Sequence, residues 1–134
     1  EPGSHGSTYG GKPLACAAAL AVLRIFDSEQ LVDNAQKQGA YLGERLAAFA
    51  SDASLPAAAE PRGLGLLRGI AVAEGYDPGA LVADLRARGV LVSIAGGNVL
   101  RFSPPLTITQ AEIDEALIAV EAALRAAKKA TPGS

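Results

Sequence analysis

Residues 90–105 read VLVSIAGGNVLRFSPP and predict two short strands joined by a hairpin turn. Val90 to Ile94 and Val99 to Phe102 are mostly apolar, whereas Ala95 to Asn98 carries the glycines and the asparagine that tight turns favour. The two prolines that follow cannot donate hydrogen bonds to a neighbouring strand, so strand pairing is expected to end there. The sequence therefore predicts an antiparallel strand pair, and the other elements are predicted on either side of it along the chain.

A helix is predicted immediately after the hairpin. Thr109 and Glu112 have the spacing of a capping box, and Ile108 can pack onto Ile113 across it. Apolar residues then recur at helical spacing at Ile113, Leu117, Val120 and Leu124.

Another helix is predicted before the hairpin. It begins at Asp77-Pro78 and ends at Gly89, with an Asp84–Arg88 pair one turn apart on its surface. Its apolar stripe consists of Leu81, Val82 and Leu85.

The segment before that helix is predicted to be a Pro/Ala linker, Asp52 to Pro61, followed by a strand. Apolar residues alternate along this strand at Leu64, Leu66, Ile70 and Val72. Gly63, Gly65 and Gly69 occupy the alternate positions and therefore share the other face of the strand. Without side chains, that face is expected to let another backbone pass close by.

Two further helices are predicted in the first half of the chain. Pro13 to Phe26 is apolar on every side, and such a helix needs cover all round. Asp27 and Gln30 then have the spacing of a capping box, with Asp27 as the N-cap, and predict the start of an amphipathic helix. The apolar stripe of that helix is Leu31, Ala35, Leu42, Leu46 and Phe49.

Together these elements predict an α+β fold, in which a small, mostly antiparallel sheet is covered by helices on one face and preceded by a long apolar helix. The 134 residues suffice for about one domain. We expect a glycine-rich loop at 1–12, connecting helices at 13–60, a small domain at 61–129 and a disordered tail at 130–134.

Composition excludes several classes of protein. The net charge is −2 and only 4% of residues are aromatic, so neither a basic patch nor a base-stacking surface for nucleic acid is present. The longest apolar run, Leu14 to Leu23, is about half of what a membrane span needs. Cys16 is interpreted as a small core residue, and with no partner for a disulfide and no secretory leader we expect a cytoplasmic protein. A metal site is not predicted, since His5 is the only histidine.

The loop before the first helix is the strongest candidate for binding chemistry. Residues 6–13 read GSTYGGKP and combine glycines, two hydroxyls and a helix N-terminus, which suits an anion such as a phosphate. The spacing approaches that of a P-loop, but Pro13 stands where Ser or Thr would hold magnesium. A flexible leader, partly derived from cloning, is the alternative.

The run from His5 to Ala19 resembles class III (fold-type I) pyridoxal-phosphate-dependent aminotransferases. The resemblance implies that Ser7 and above all Thr8 bind the cofactor phosphate of the neighbouring subunit in a homodimer. It also places the family's catalytic lysine upstream, so no catalytic residue is expected in this chain. Lys12 departs from the family, which usually has asparagine there.

Residues 89–92 and 95–108 are similar to the acetylornithine and ornithine branch of this family, and Arg62 to Leu66 resembles the strand that opens its small domain. The resemblance implies that Arg101 lies at the active site, where its planar guanidinium can bind a substrate carboxylate or pair with a glutamate of the large domain. For an arbitrary strand arginine, the alternative is a surface ion pair.

The implied activity is amino-group transfer between N-acetylornithine, or a related omega-amino substrate, and 2-oxoglutarate, as in arginine biosynthesis. Small-molecule amino acids and 2-oxo acids are then the partners, and the chain alone is expected to be inactive. A stand-alone α+β ligand-binding or regulatory module is the alternative. The residues that discriminate between donor substrates lie largely upstream in the family.

Overall fold

The computed structural model describes residues 6–129, apart from the side chains of Ala58 and Ala59. His5 and the tail predicted at 130–134 lie outside this range. The elements, in chain order, are α1 (Pro13–Ser28), α2 (Leu31–Ser51), β1 (Ala57–Leu64), β2 (Leu67–Val72), α3 (Pro78–Ala87), β3 (Ser93–Ala95), β4 (Val99–Phe102) and α4 (Gln110–Ala126).

The four strands form one antiparallel sheet with the order β1-β2-β4-β3. Residues paired across neighbouring strands point to the same face. The inner face carries Ile70 and Val72 of β2 and Leu100 and Phe102 of β4, all of which are buried among apolar side chains of α2, α3 and α4. The opposite, outer face carries Leu64 and other exposed residues. The predicted α+β arrangement, with helices on one face of a small antiparallel sheet, is confirmed.

Helix α3 begins and ends, and helix α4 begins, where the sequence predicts. The Asp77 side chain accepts a hydrogen bond from the Gly79 amide at 2.8 Å, and Gly89 follows the helix end with a φ of +85°. At α4, Thr109 and Glu112 form the complete capping box. The predicted stripe of α4 is buried at all four positions.

The strand predicted from Leu64 to Val72 is wrong in one respect, because the chain turns back within it. Leu64 pairs with Leu67, so Gly65 and Leu66 form a two-residue turn between β1 and β2. Gly65 has a φ of +54°, which glycine adopts without strain. The alternation of apolar residues from Leu64 to Val72 therefore does not mark one strand. It runs from the end of β1 through the turn and along β2.

The predicted linker is also too long, because β1 begins at Ala57, inside it. Alanine and Pro61 do not favour strands, and the pairing is irregular between Ala58 and Arg62. The strand is tolerated because β1 lies at the sheet edge, where proline's missing N–H faces no partner.

The predicted N-cap at Asp27 is wrong. This residue lies in the last turn of α1, and the helix break comes at Glu29 and Gln30, where Gln30 has a φ of +49°. No glycine or proline ends α1, so nothing in the sequence marks its last turn. The helix predicted from Pro13 is present, but none of its residues is buried, and Cys16 is exposed rather than part of a core.

The chain divides into two compact units, Glu1–Asp33 and Asn34–Ser134. The boundary therefore falls near the start of α2 rather than at residue 60, because Leu42, Leu46 and Phe49 of α2 share the core of the sheet. Asp114 also contributes to the second unit, since its carboxylate accepts a 2.5 Å hydrogen bond from Tyr41 of α2.

Candidate functional site

The glycine-rich loop of the first unit presents two exposed hydroxyls, those of Ser7 and Thr8. The Gly10 amide donates a 2.9 Å hydrogen bond to Ser7 Oγ, which fixes the loop and leaves the hydroxyl proton of Ser7 available to an acceptor. Within the described part of the chain, no hydrogen bond involves the Thr8 hydroxyl. Both side chains can therefore donate to an incoming anion.

The end of this loop leads directly into α1. The Lys12 amide donates to the Tyr9 carbonyl at 3.2 Å, Gly11 has a φ of +75°, and Pro13 opens the helix. The Lys12 ammonium lies 5.9 Å from the centre of the Tyr9 ring. A positive charge, two hydroxyls and the first turn of a helix are thus close in sequence and exposed, which suits a phosphate ester.

Arg101 lies on the outer face of the sheet, in β4, and is exposed. Its Nε donates a 3.0 Å hydrogen bond to Ser93 Oγ on the neighbouring strand β3. Within residues 6–129 it forms no ion pair, so the surface ion pair expected for an arbitrary strand arginine is not found there. With Nε held by Ser93, the two terminal nitrogens remain available to a carboxylate.

The register of the sheet places two more residues beside Arg101. Gly69 of β2 pairs with Arg101 on one side and with Arg62 of β1 on the other, while Ser93 pairs with Arg101 across β3. Arg62, Gly69, Arg101 and Ser93 therefore form one row across the outer face, which we call the arginine row. Arg62 is exposed like Arg101.

Gly69 is required in the arginine row for steric reasons. A Cβ at this position would lie 2.8 Å from Cγ1 of Val99, closer than packed carbons approach. The Val99 side chain therefore covers Gly69, which is buried between the two arginine-bearing strands.

The residues predicted from sequence are placed on separate units. Ser7 and Thr8 belong to the first compact unit and Arg101 to the second, so each is described within its own unit. The prediction missed the neighbours that the sheet gives to Arg101, namely Arg62 and Ser93. Arg62 belongs to the segment Arg62 to Leu66 that resembles a strand of the family, but only the pairing of β1 with β2, which was not predicted, brings it to this row.

Other features of the described residues offer no competing site. No group of three or more His, Cys, Asp or Glu side chains between residues 6 and 129 could hold a metal ion. A cleft of about 300 Å³ between α3 and α4 is lined by Asp77, Asp84, Arg88 and Lys128, among others, and an apolar one of about 100 Å³ lies beside Phe102 and Ile113. Neither is lined by Ser7, Thr8 or Arg101. None of the helices described for residues 6–129 is long and apolar enough to cross a membrane.

Comparison with known proteins identifies the family. The family model for class-III aminotransferases matches residues 1–124. The chain is 45% identical over 123 residues to an acetylornithine aminotransferase of Gloeobacter violaceus, a match that covers 90% of this chain and 30% of that protein. An ornithine aminotransferase of Bordetella pertussis is 44% identical over 115 residues, covering 85% of this chain and 27% of that protein.

Solved structures give the same result. The ornithine aminotransferase from Toxoplasma gondii, described with partial occupancy of PLP at its active site, superposes with a TM-score of 0.81 at 38% identity, over 94% of this chain and 30% of that chain. The lysine aminotransferase from M. tuberculosis has a TM-score of 0.80 at 36% identity, over 92% of this chain and 28% of that chain. The chain thus spans about a third or less of the length of these relatives. It belongs to the class-III aminotransferase family.

Proposed function

We propose that this chain forms the C-terminal part of a pyridoxal-phosphate-dependent aminotransferase that moves an amino group between N-acetylornithine, or a related omega-amino substrate, and 2-oxoglutarate. The observation that carries the proposal is Arg101, which is exposed on the sheet, held by Ser93 at Nε, and without an ion pair among residues 6–129. The similarity to acetylornithine and ornithine aminotransferases supports this substrate class.

The donors of the glycine-rich loop fit the phosphate of this cofactor. Ser7 and Thr8 offer two hydroxyl protons, and Lys12 adds a positive charge. Because the loop is exposed, a phosphate bound there would need further contacts, which a second subunit of a homodimer would supply. We propose that this homodimer is cytoplasmic. When bound, pyridoxal phosphate would supply the electron sink for amino-group transfer.

The remaining residues would bind and orient the substrate rather than react with it. Arg101 would bind a substrate carboxylate through its two terminal nitrogens, which a planar guanidinium does with two parallel hydrogen bonds. No lysine of this chain is assigned to catalysis. We therefore propose that the chain alone is inactive and retains no cofactor, and that the full-length protein acts in arginine biosynthesis.

The test compares Thr8→Ala and Arg101→Ala in the full-length protein that carries this chain. Loss of one hydrogen bond to a charged phosphate should weaken cofactor binding about tenfold for Thr8→Ala. Arg101→Ala should instead raise the KM for the carboxylate substrate by about tenfold or more while cofactor is retained. Cofactor is measured by its absorbance after gel filtration, and KM by steady-state kinetics.

Thr107→Ala is the matched control, because it removes an exposed threonine hydroxyl outside the loop. Equal cofactor loss in the Thr8 and Arg101 variants would contradict the two assignments. A cofactor absorbance band that stays with the 134-residue chain through gel filtration would contradict its proposed inactivity.

A further inference from the structure

We propose that the cleft between α3 and α4 is a binding site for a zwitterionic α-amino acid with a small apolar side chain. In this site Asp77 binds the ammonium group of the ligand and Lys128 binds its carboxylate. The proposal does not rest on the proposed function, because Ser7, Thr8 and Arg101 do not line this cleft.

The cleft has the volume and the apolar floor that such a ligand needs. It measures about 300 Å³, at the lower end of the range for small-molecule pockets. The space is open because alanines stand where the two helices face one another, at Ala80 of α3 and at Ala123 and Ala126 of α4. Leu81 and Ala123 line the cleft and are themselves buried, so an aliphatic side chain can pack against them.

The charged wall of the cleft follows from the periodicity of α3. Four of its lining residues recur at intervals of three or four positions and therefore share one face of the helix: Asp77, Leu81, Asp84 and Arg88. Arg88 Nε donates to Asp84 Oδ2 at 3.0 Å, so these two charges neutralise one another. Asp77 Oδ1 accepts a 2.8 Å hydrogen bond from the Gly79 amide, which leaves Oδ2 of the same carboxylate for an ammonium group.

The opposite wall brings Lys128 to the same end of the cleft as Asp77. Ala127 leaves α4 in an extended conformation, with a φ of −61° and a ψ of 133°, and Lys129 then forms an antiparallel bridge with Tyr76. In an antiparallel arrangement the next residues along the two segments, Asp77 and Lys128, lie beside one another. Neither of them forms an ion pair within residues 6–129.

This arrangement of charges suits a zwitterion. The ammonium and carboxylate groups of an α-amino acid are attached to one carbon atom, so a single ligand can contact Asp77 and Lys128 together. The last turn of α4 also lines the cleft, and the partial negative charge at a helix C-terminus favours the ammonium group. A simple amine or a simple carboxylate would use only one of the two charges.

The test titrates L-valine, isovalerate and isobutylamine into the 134-residue chain and follows the backbone amide resonances of Ala80, Ala123 and Ala126 by NMR. Isovalerate lacks the ammonium group of valine, and isobutylamine lacks its carboxylate. Valine should bind about fivefold more tightly than either, because it forms one additional exposed ion pair.

Two substitutions separate the roles of the two charges. Asp77→Asn removes the charge but keeps a good N-cap, and it should weaken valine and isobutylamine about fivefold while isovalerate binds as before. Lys128→Gln should weaken valine and isovalerate about fivefold while isobutylamine binds as before. The matched controls are Glu74→Gln and Lys129→Gln, because each removes an exposed charge that is near in sequence and does not line the cleft.

Retained dispersion of the amide spectrum checks that each variant is folded. The proposal is overturned if valine causes no saturable shift of the three alanine amides, or if it binds no better than isovalerate and isobutylamine. It is also overturned if each control weakens valine binding as much as its partner variant does, since a general effect of charge would then explain the binding.

The full-length protein that carries this chain supplies a second measurement. Valine should raise its thermal unfolding temperature, because a ligand that binds only the folded state stabilises that state. The rise should be smaller in Lys128→Gln than in Lys129→Gln at the same valine concentration. Equal rises in these two variants would contradict the proposal, whereas the proposed function is tested separately, since valine has no omega-amino group.

Discussion

The Glu112 carboxylate accepts two of the three hydrogen bonds that close the start of α4. The Thr109 amide and the Thr109 hydroxyl each donate to Glu112 Oε2 at 2.8 Å, and the Glu112 amide donates back to Thr109 Oγ1 at 3.3 Å. The amide hydrogen bond, followed by that of the hydroxyl, lowers the pKa of Glu112 below its ordinary value of 4.5, because both favour the ionised form. This residue therefore links stability to pH.

The direction of that dependence follows from the lowered pKa. A carboxyl group that is more acidic in the folded chain stabilises the fold above its unfolded pKa, and this contribution is lost as the pH falls through the folded value. Glu112→Gln should therefore reduce the loss of stability below pH 4.5, as measured by thermal unfolding over a pH series.

Glu115→Gln is the matched control, because Glu115 is an exposed glutamate on the same helix and outside the capping box. It should leave the acid dependence largely in place. Identical acid dependence in Glu112→Gln and the unmodified chain would show that the capping box is not the source. Asp52, whose pKa is lowered first by the Ser54 hydroxyl, adds a second contribution of the same sign.

At the scale of elements, α2 and the β1–β2 turn approach one another backbone to backbone. A Cβ on Gly39 would collide with the carbonyl and the Cα of Gly65. Arg68 fastens the same contact, since its Nε donates to the carbonyls of Gly39 at 3.1 Å and Gly65 at 2.9 Å. The close backbone approach predicted from the glycines is present, but it occurs at the turn and involves a helix.

Gly39→Ala should destabilise the chain by about 1–3 kcal/mol, because overpacking outweighs the gain of about 1 kcal/mol from helix propensity. Urea unfolding measures the change. Gly43→Ala is the comparison within the same helix and should cost less, since its Cβ would meet the end of a side chain, the Arg68 guanidinium at 3.2 Å, rather than backbone atoms. A Gly39 variant as stable as the Gly43 variant would contradict the close contact.

Prediction from sequence succeeded where the determinants are local. The helices α3 and α4 carry their start signals, Asp77 and the Thr109–Glu112 pair, within a few residues of each end. The start of β1 carried no such signal, because alanines and Pro61 form a strand only when a neighbouring strand supplies the hydrogen bonds. Tertiary pairing, rather than local preference, determines that element.

The same limit applies to the candidate site. Arg101 could be found from its local motif, but the arginine row depends on the register of three strand pairs. A shift of one residue would turn Arg62 to the inner face. Its proximity to Arg101 therefore follows only from the folded sheet.

At the scale of the whole molecule, α1 is the feature that a small domain alone does not explain. Its apolar residues are exposed, with Leu14 at 84%, Leu20 at 54% and Leu23 at 62%. A helix that is apolar on every side is normally covered. The relatives are about three times as long as this chain, and a contiguous exposed apolar surface is typical of a contact with another part of a protein or another subunit.

We therefore expect the 134-residue chain to bind a dye specific for apolar surfaces and to self-associate as its concentration rises. Replacing Leu20 and Leu23 together by glutamine should lower the dye fluorescence and move the sedimentation coefficient towards that of a monomer. Glutamine keeps a helix propensity close to that of leucine, so α1 itself should persist, as circular dichroism would check.

Ile118→Gln provides the control, since Ile118 is 71% exposed on α4 and its replacement removes apolar surface outside α1. If dye binding and association fall with Leu20 and Leu23 but not with Ile118, the exposed face of α1 is responsible. A monomeric chain that binds no dye would instead favour a stand-alone α+β module, because α1 would then need no cover from outside the chain. The outcome thus separates part of a larger enzyme from a self-sufficient domain by a property of one helix.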